Sequence, residues 1–209
     1  MTFEFWLGFV GIWLLATLPL GPNAAFTISS TISQGRSKAL CVPFGIGLAS
    51  IVHALSASLG VGSLLLAFPA LFGILKIAGA IYLIWLGIKF WRKKSVVSME
   101  GEKTKSISGP RLITQGFLVS LSNPKAILSY MVLFLAYIDI TASVWTQLLI
   151  LIPTSTAIVL CVYFGYALLS LPLKNWMSTT SRQRALNRTT GSFFMIAGLG
   201  IMVRALSRN

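Results

Sequence analysis

Two stretches decide the fold: Leu20-Gly21-Pro22-Asn23 in the first half of the chain and Leu121-Ser122-Asn123-Pro124-Lys125-Ala126 in the second. Each interrupts a long apolar segment. Proline lacks a backbone N–H, and its ring clashes with the carbonyl four residues earlier, so a helix running through either stretch breaks there. Bilayer hydrocarbon tolerates such a break only where protein or a watery cavity satisfies the freed backbone groups. Paired breaks at corresponding places in two halves of a chain point to a transporter's binding site.

The surrounding composition is that of a polytopic membrane protein. Of 209 residues, 56% are hydrophobic and 10% charged, and mean hydropathy is +0.83; ordinary soluble domains carry about 25% charged residues. Apolar runs of roughly 18 or more residues recur, each long enough to cross a bilayer. The first 20 residues contain Glu4 and no Lys or Arg, so the basic region that opens a cleavable signal peptide is missing.

Hydropathy predicts an all-α membrane protein with six transmembrane helices. The segments run over about 5–33, 40–66, 68–91, 112–138, 144–171 and 189–206, and the first and fourth carry the breaks. Basic residues then set direction. Arg36 and Lys38 lie between segments one and two. Lys89, Arg92, Lys93, Lys94, Lys103, Lys105 and Arg111 follow segment three, and Lys174, Arg182, Arg184 and Arg188 lie between five and six. These are 13 of the 17 basic residues, all on one side; Arg204 and Arg208 fall opposite, and Lys76 and Lys125 within spans. The positive-inside rule makes the basic side cytoplasmic and places both termini outside. Because the +13 net charge sits in loops between spans, it does not form a nucleic-acid footprint.

Three spans per half means that the second half enters from the opposite side, which is the arithmetic of two inverted three-helix repeats. The whole chain is one transporter domain: 1–91 as the first half, 92–111 as a flexible cytoplasmic linker, and 112–209 as the second half. Thr27, Ser29, Ser30, Thr31 and Ser33 follow the first break, placed either to satisfy freed carbonyls or to line a cavity.

Asn23 and Asn123 lead the candidate substrate-binding residues, each offering a carbonyl acceptor and an amide donor at membrane depth. The plainer alternative is that they cap the half-helices that Gly21, Pro22 and Pro124 create. Lys125 comes next. An intramembrane lysine costs about 2.5–3.5 kcal/mol on insertion scales and by default marks a site with a partner. No acidic residue lies deep in any span, so the carboxylate of a ligand is the expected anion; snorkelling to the interface is the alternative. Lys76, in the outer third of segment three, snorkels more easily and has the weaker claim to a charge role. His53 is the single histidine and lies on a stripe of small residues, Gly45, Ala49 and Ala57. Such stripes pack against neighbouring helices, so His53 faces protein, either as a proton relay near neutral pH or as an inter-helix hydrogen-bonding group.

Trp6, Trp91, Trp145, Trp176 and Tyr137 sit near span ends, as an aromatic belt does. Cys41 and Cys161 lie in apolar stretches without CxxC spacing, which fits neither a disulfide framework nor a zinc site; buried packing is expected of both. A membrane thiol–disulfide electron carrier using these two cysteines is the alternative function from another class. A scaffold docking anionic lipid through the basic linker is a second. Neither a metal, a cofactor nor a catalytic group is called for. Glycine stripes allow a homodimer without demanding one.

At these residues the chain resembles the LysE/RhtB family of amino-acid exporters. Leu20-Gly21-Pro22-Asn23 with the polar helix to Gln34-Gly35-Arg36 is similar to the family's amino-terminal signature. Lys76, Gly79-Ala80, Tyr82-Leu83 and Gly87 are similar to its third-span pattern, and Leu121-Ser122-Asn123-Pro124-Lys125-Ala126 to its Asn-Pro-Lys motif. The resemblance implies export of amino acids or close relatives across the plasma membrane, driven by the proton-motive force. Two departures stand out. Leu20 replaces the first proline of a Pro-Gly-Pro, and Ala49-Ser50-Ile51-Val52-His53 lacks the acid that the family often carries before its histidine. With no acid at membrane depth, neutral substrates such as threonine, homoserine or leucine are expected, and His53 is the remaining proton carrier.

Overall fold

The computed structural model describes residues 2–67, 69–92, 106–139, 142–176 and 180–206. Within them the chain is helical, with no strand. Helices α1 (Phe3–Thr17) and α2 (Pro22–Gln34) form the first broken segment. A single turn, α3 (Arg36–Ala39), leads into α4 (Cys41–Ala67), followed by α5 (Pro69–Arg92). Helices α6 (Gly109–Leu121) and α7 (Pro124–Tyr137) form the second broken segment, and α8 (Val144–Trp176) and α9 (Thr180–Leu206) complete the chain. The linker stretch 93–105 lies outside the described residues.

Both breaks fall where proline requires them. Pro22 and Pro124 each open a half-helix, at the first turn where their missing N–H would be unpaired anyway. The two pairs are sharply bent, by 58° between α1 and α2 and by 62° between α6 and α7. By length and composition, Arg36–Leu59 and Val144–Ser170 suit membrane crossing, and each bent pair does so if counted as one span. That makes up to four candidate spans among the described residues; α5 contributes the shorter apolar stretch Ile77–Lys89.

The outer surface is apolar. Leu149, Trp145, Phe3 and Ile196 are each more than 65% exposed, as befits side chains whose solvent is lipid rather than water. Trp91 anchors one end of α5: its Nε1 donates to Ser192 Oγ at 2.9 Å, and the Arg188 guanidinium lies 4.9 Å from its ring. Inside, one apolar cluster gathers around Phe9, Trp13, Tyr130 and Phe134, and another around Ile28, Val42, Ile46 and Val159.

Glycine allows two helix pairs to approach backbone to backbone. On α4, a Cβ at Gly45 would lie 2.0 Å from the Ile113 carbonyl of α6. Between α5 and α9 the approach is reciprocal, with Gly87 against the Gly191 carbonyl at 2.6 Å and Gly191 against the Gly87 carbonyl at 2.5 Å. These small residues therefore serve packing within the chain.

Candidate functional site

The two breaks meet. Asn23 lies just inside α2, and Asn123 is the residue that caps α7. Asn123 Nδ2 donates to Asn23 Oδ1 at 3.0 Å, and Asn23 Nδ2 donates to Ser120 Oγ at 3.0 Å. Asn123 Oδ1 in turn accepts from the Lys125 backbone N–H at 3.1 Å. Both side chains are buried. The capping alternative thus describes half of Asn123, whose oxygen caps α7 while its amide crosses to the other half of the chain. It does not describe Asn23, because Gly21 occupies the cap position of α2 and gives no side-chain hydrogen bond.

The carbonyls opened by the first break are met from the second half of the chain. Lys125 Nζ donates to Pro19 O at 3.2 Å, and Tyr166 Oη donates to Leu18 O. Lys125 therefore does not snorkel away; its amine reaches inward to the frayed end of α1. At the second break, Ser120 O accepts both from the Asn123 N–H at 3.0 Å and from His53 Nε2 at 3.1 Å. A carbonyl can only accept, so Nε2 carries a proton. His53 is buried and borders Tyr130, with ring centroids 5.6 Å apart.

A half-open cavity lies beside this network. Asn23, Asn123, Lys125, Ser50, Trp13 and Tyr130 are among the residues on its wall, which holds no Asp or Glu among the described residues. Ser50, in the stretch where the family resemblance would place an acid, lines this wall. Its Oγ donates to Gly47 O at 2.7 Å and bonds Thr156 Oγ1 at 3.1 Å.

Some sequence expectations come out differently. Thr27 and Thr31 neither line the cavity nor meet carbonyls at the break; they turn back onto α2, donating to Asn23 O at 2.8 Å and Thr27 O at 2.9 Å. Four-residue back-bonding is the local habit of helical threonine. Cys41 is half-buried and Cys161 exposed rather than both being buried, and both are free. Neither thiol borders the cavity, so nothing supports a redox role. Lys76 lies in α5, and its side chain is outside the described residues. Trp13, Ser50, Ser120, Ser129, Tyr130 and Tyr163 reach the cavity without having been singled out as site residues.

An all-helical protein with an apolar outer surface and two intramembrane breaks joined through side chains belongs to the class of membrane transporters. The LysE type translocator family matches residues 14–205, and the chain belongs to that family. It is 33% identical over 198 residues to the homoserine/homoserine lactone efflux protein of Salmonella typhimurium, covering 95% of this chain and 96% of that one. It is 30% identical over 172 residues to the leucine efflux protein of Enterobacter sp. (strain 638), covering 80% and 79%. An uncharacterized membrane protein of Vibrio cholerae is 29% identical over 199 residues. No solved structure matches the chain.

Proposed function

We propose that the protein is a secondary-active exporter of small neutral amino acids, working by alternating access across the inner membrane and driven by protons. The observation that carries this reading is the Asn23–Asn123 bridge, which joins the two breaks beside a cavity bearing the Lys125 amine. Homoserine and leucine, named for the relatives, are zwitterions that suit these groups. The carboxylate takes the Lys125 ammonium, aided by the positive amino-terminal ends of α2 and α7. The α-ammonium takes the Pro19 carbonyl that Lys125 releases and the Asn23 Oδ1. With no acid on the wall, a cationic substrate side chain would lack a counter-ion.

Alternating access would use two inverted three-helix halves, 1–91 and 112–209. Helix pairing supports that relation: α2 packs on α8 and α7 on α4, while α5 faces α9 and α4 faces α8. The Asn23–Asn123 and Lys125–Pro19 contacts both cross between the halves, so a substrate that replaces them loosens one closure. His53, bonded to Ser120 O, would carry the coupling proton. The basic loops support an orientation with both termini outside the cytoplasm. Cells expressing the protein and loaded with dipeptides should release one or a few neutral amino acids faster than cells without it. No substrate-dependent release across a broad amino-acid panel would contradict the proposal.

A further inference from the structure

Helices α5 and α9 run antiparallel and meet along one row of residues each. Gly87 faces Gly191 and Met195, Gly198 faces Ala80 and Ile84, and Gly191 faces Trp91. The residue that follows each member of these rows is turned about 100° further round its helix. In an antiparallel pair that same turn brings both sets to one side. On α5 the set is Ile81, Trp85, Ile88 and Arg92, and on α9 it includes Ile196 and Leu199; all six are exposed. The pair therefore presents one continuous apolar face with a cation at its end.

Side-chain contacts organise that end. Trp91 Nε1 donates to Ser192 Oγ at 2.9 Å, and the Arg188 guanidinium lies 4.9 Å from the Trp91 ring. Lys89 Nζ lies 4.9 Å from the Trp85 ring. Lys89 and Arg92 stand at i, i+3 on α5, and Arg184 and Arg188 at i, i+4 on α9, spacings at which like charges repel. The Gly87–Gly191 approach brings the two pairs to the same end. Glu4 and Asp139, the acids among the described residues, belong to the first turn of α1 and to the segment after α7, not to this end of either helix.

We infer that this end of the α5–α9 face binds a phospholipid with an anionic headgroup. The phosphate is met by Lys89, Arg92 and Arg188, and the acyl chains lie on the apolar face below. Charge complementarity selects an acidic lipid: basic pockets between membrane helices collect anionic headgroups, and indole rings sit at headgroup level. A soluble anion would meet the cations but gain nothing from the apolar face. None of these residues lines the cavity beside Asn23 and Asn123, so the site is independent of what the protein exports.

The test is native mass spectrometry of the detergent-purified full chain, titrated with phosphatidylglycerol and with zwitterionic phosphatidylethanolamine of matched acyl chains. The first phosphatidylglycerol should bind at least about fivefold more tightly, the scale of one basic side chain near a headgroup surface. Arg92→Gln combined with Arg188→Gln should remove most of that preference. Arg36→Gln combined with Lys38→Gln deletes the same charge from another basic loop and should leave the preference unchanged. Glycerol 3-phosphate, a headgroup without tails, should not displace the lipid at equal concentration. Equal affinity of the two lipids for wild-type protein, or equal loss of preference in the two double variants, overturns the site. So does displacement by glycerol 3-phosphate at equal concentration. A dimer that forms without lipid and is lost in the Arg92→Gln, Arg188→Gln variant gives the face to a second copy and overturns it as well.

Discussion

Asn123 donates its side-chain amide to the side-chain oxygen of Asn23 at 3.0 Å, linking the broken segments of the two halves of the chain. The bond is one member of a continuous chain of contacts. His53 reaches Ser120, Ser120 meets Asn23, Asn23 meets Asn123, and Asn123 caps the helix that begins at Lys125. On the proposed reading, a substrate that engages either amide would be sensed at both breaks.

Lys125 is assigned the substrate carboxylate. Lys125→Ala should raise the half-saturating concentration for amino acids at least about tenfold, the scale of one lost charge-assisted hydrogen bond of about 1.5–3 kcal/mol. Amino-acid amides, which lack the carboxylate, should be poor substrates of the wild-type protein, and the variant should discriminate little between acid and amide. Transport assays with paired acids and amides check this; undiminished discrimination in Lys125→Ala would remove the lysine from the carboxylate site.

His53 is assigned the coupling proton. Glutamine can keep a hydrogen bond to Ser120 O but does not titrate near neutral pH. In His53→Gln, the ratio of proton-driven accumulation to gradient-free exchange should fall at least about tenfold. A ratio equal to that of wild-type protein would leave His53 a purely structural group.

The two breaks, their bends and the asparagines beside them were legible because proline chemistry is local. Pro22 and Pro124 end a helix whatever surrounds them. The inward reach of Lys125 was only half legible. Hydropathy showed a lysine at depth with no acid to pair with it, but a backbone carbonyl as partner is invisible until Pro19 is brought alongside in space. Trp13 and Tyr130 were hidden for a similar reason. An aromatic residue in an apolar segment reads as core or belt, and only the packing of α1 against α7 brings both rings to the cavity wall. The threonines of α2 misled because a polar stripe beside a break looks like a cavity wall, whereas their hydroxyls satisfy themselves one turn back.

The close approach of α4 and α6 depends on Gly45. Gly45→Ala would put a methyl group 2.0 Å from the Ile113 carbonyl, and neither backbone can yield easily. Overpacking of this kind costs about 1–3 kcal/mol, so thermal unfolding in detergent should fall by several degrees, at roughly 2–4 °C per kcal/mol for a chain of this size. Gly165→Ala, where nothing lies within 4 Å, is the matched control and should unfold near the wild-type temperature.

The cysteines should be dispensable. Cys41 and Cys161 are free, and neither borders the cavity. Replacing both by serine should leave efflux within about twofold of wild type, the effect expected of substitutions away from any site. Loss of activity in the double variant, with normal membrane levels, would revive an electron-carrier role.

The central claim is that the asparagine bridge between the breaks belongs to an amino-acid export site. Homoserine release from dipeptide-loaded cells, compared between wild-type protein and Asn123→Ala at matched membrane levels, tests it most directly. Removing the amide leaves Asn23 Oδ1 buried without this partner, at a cost of about 1–3 kcal/mol. Release should fall at least about tenfold while the variant still inserts. Release at the wild-type rate from Asn123→Ala would contradict the account.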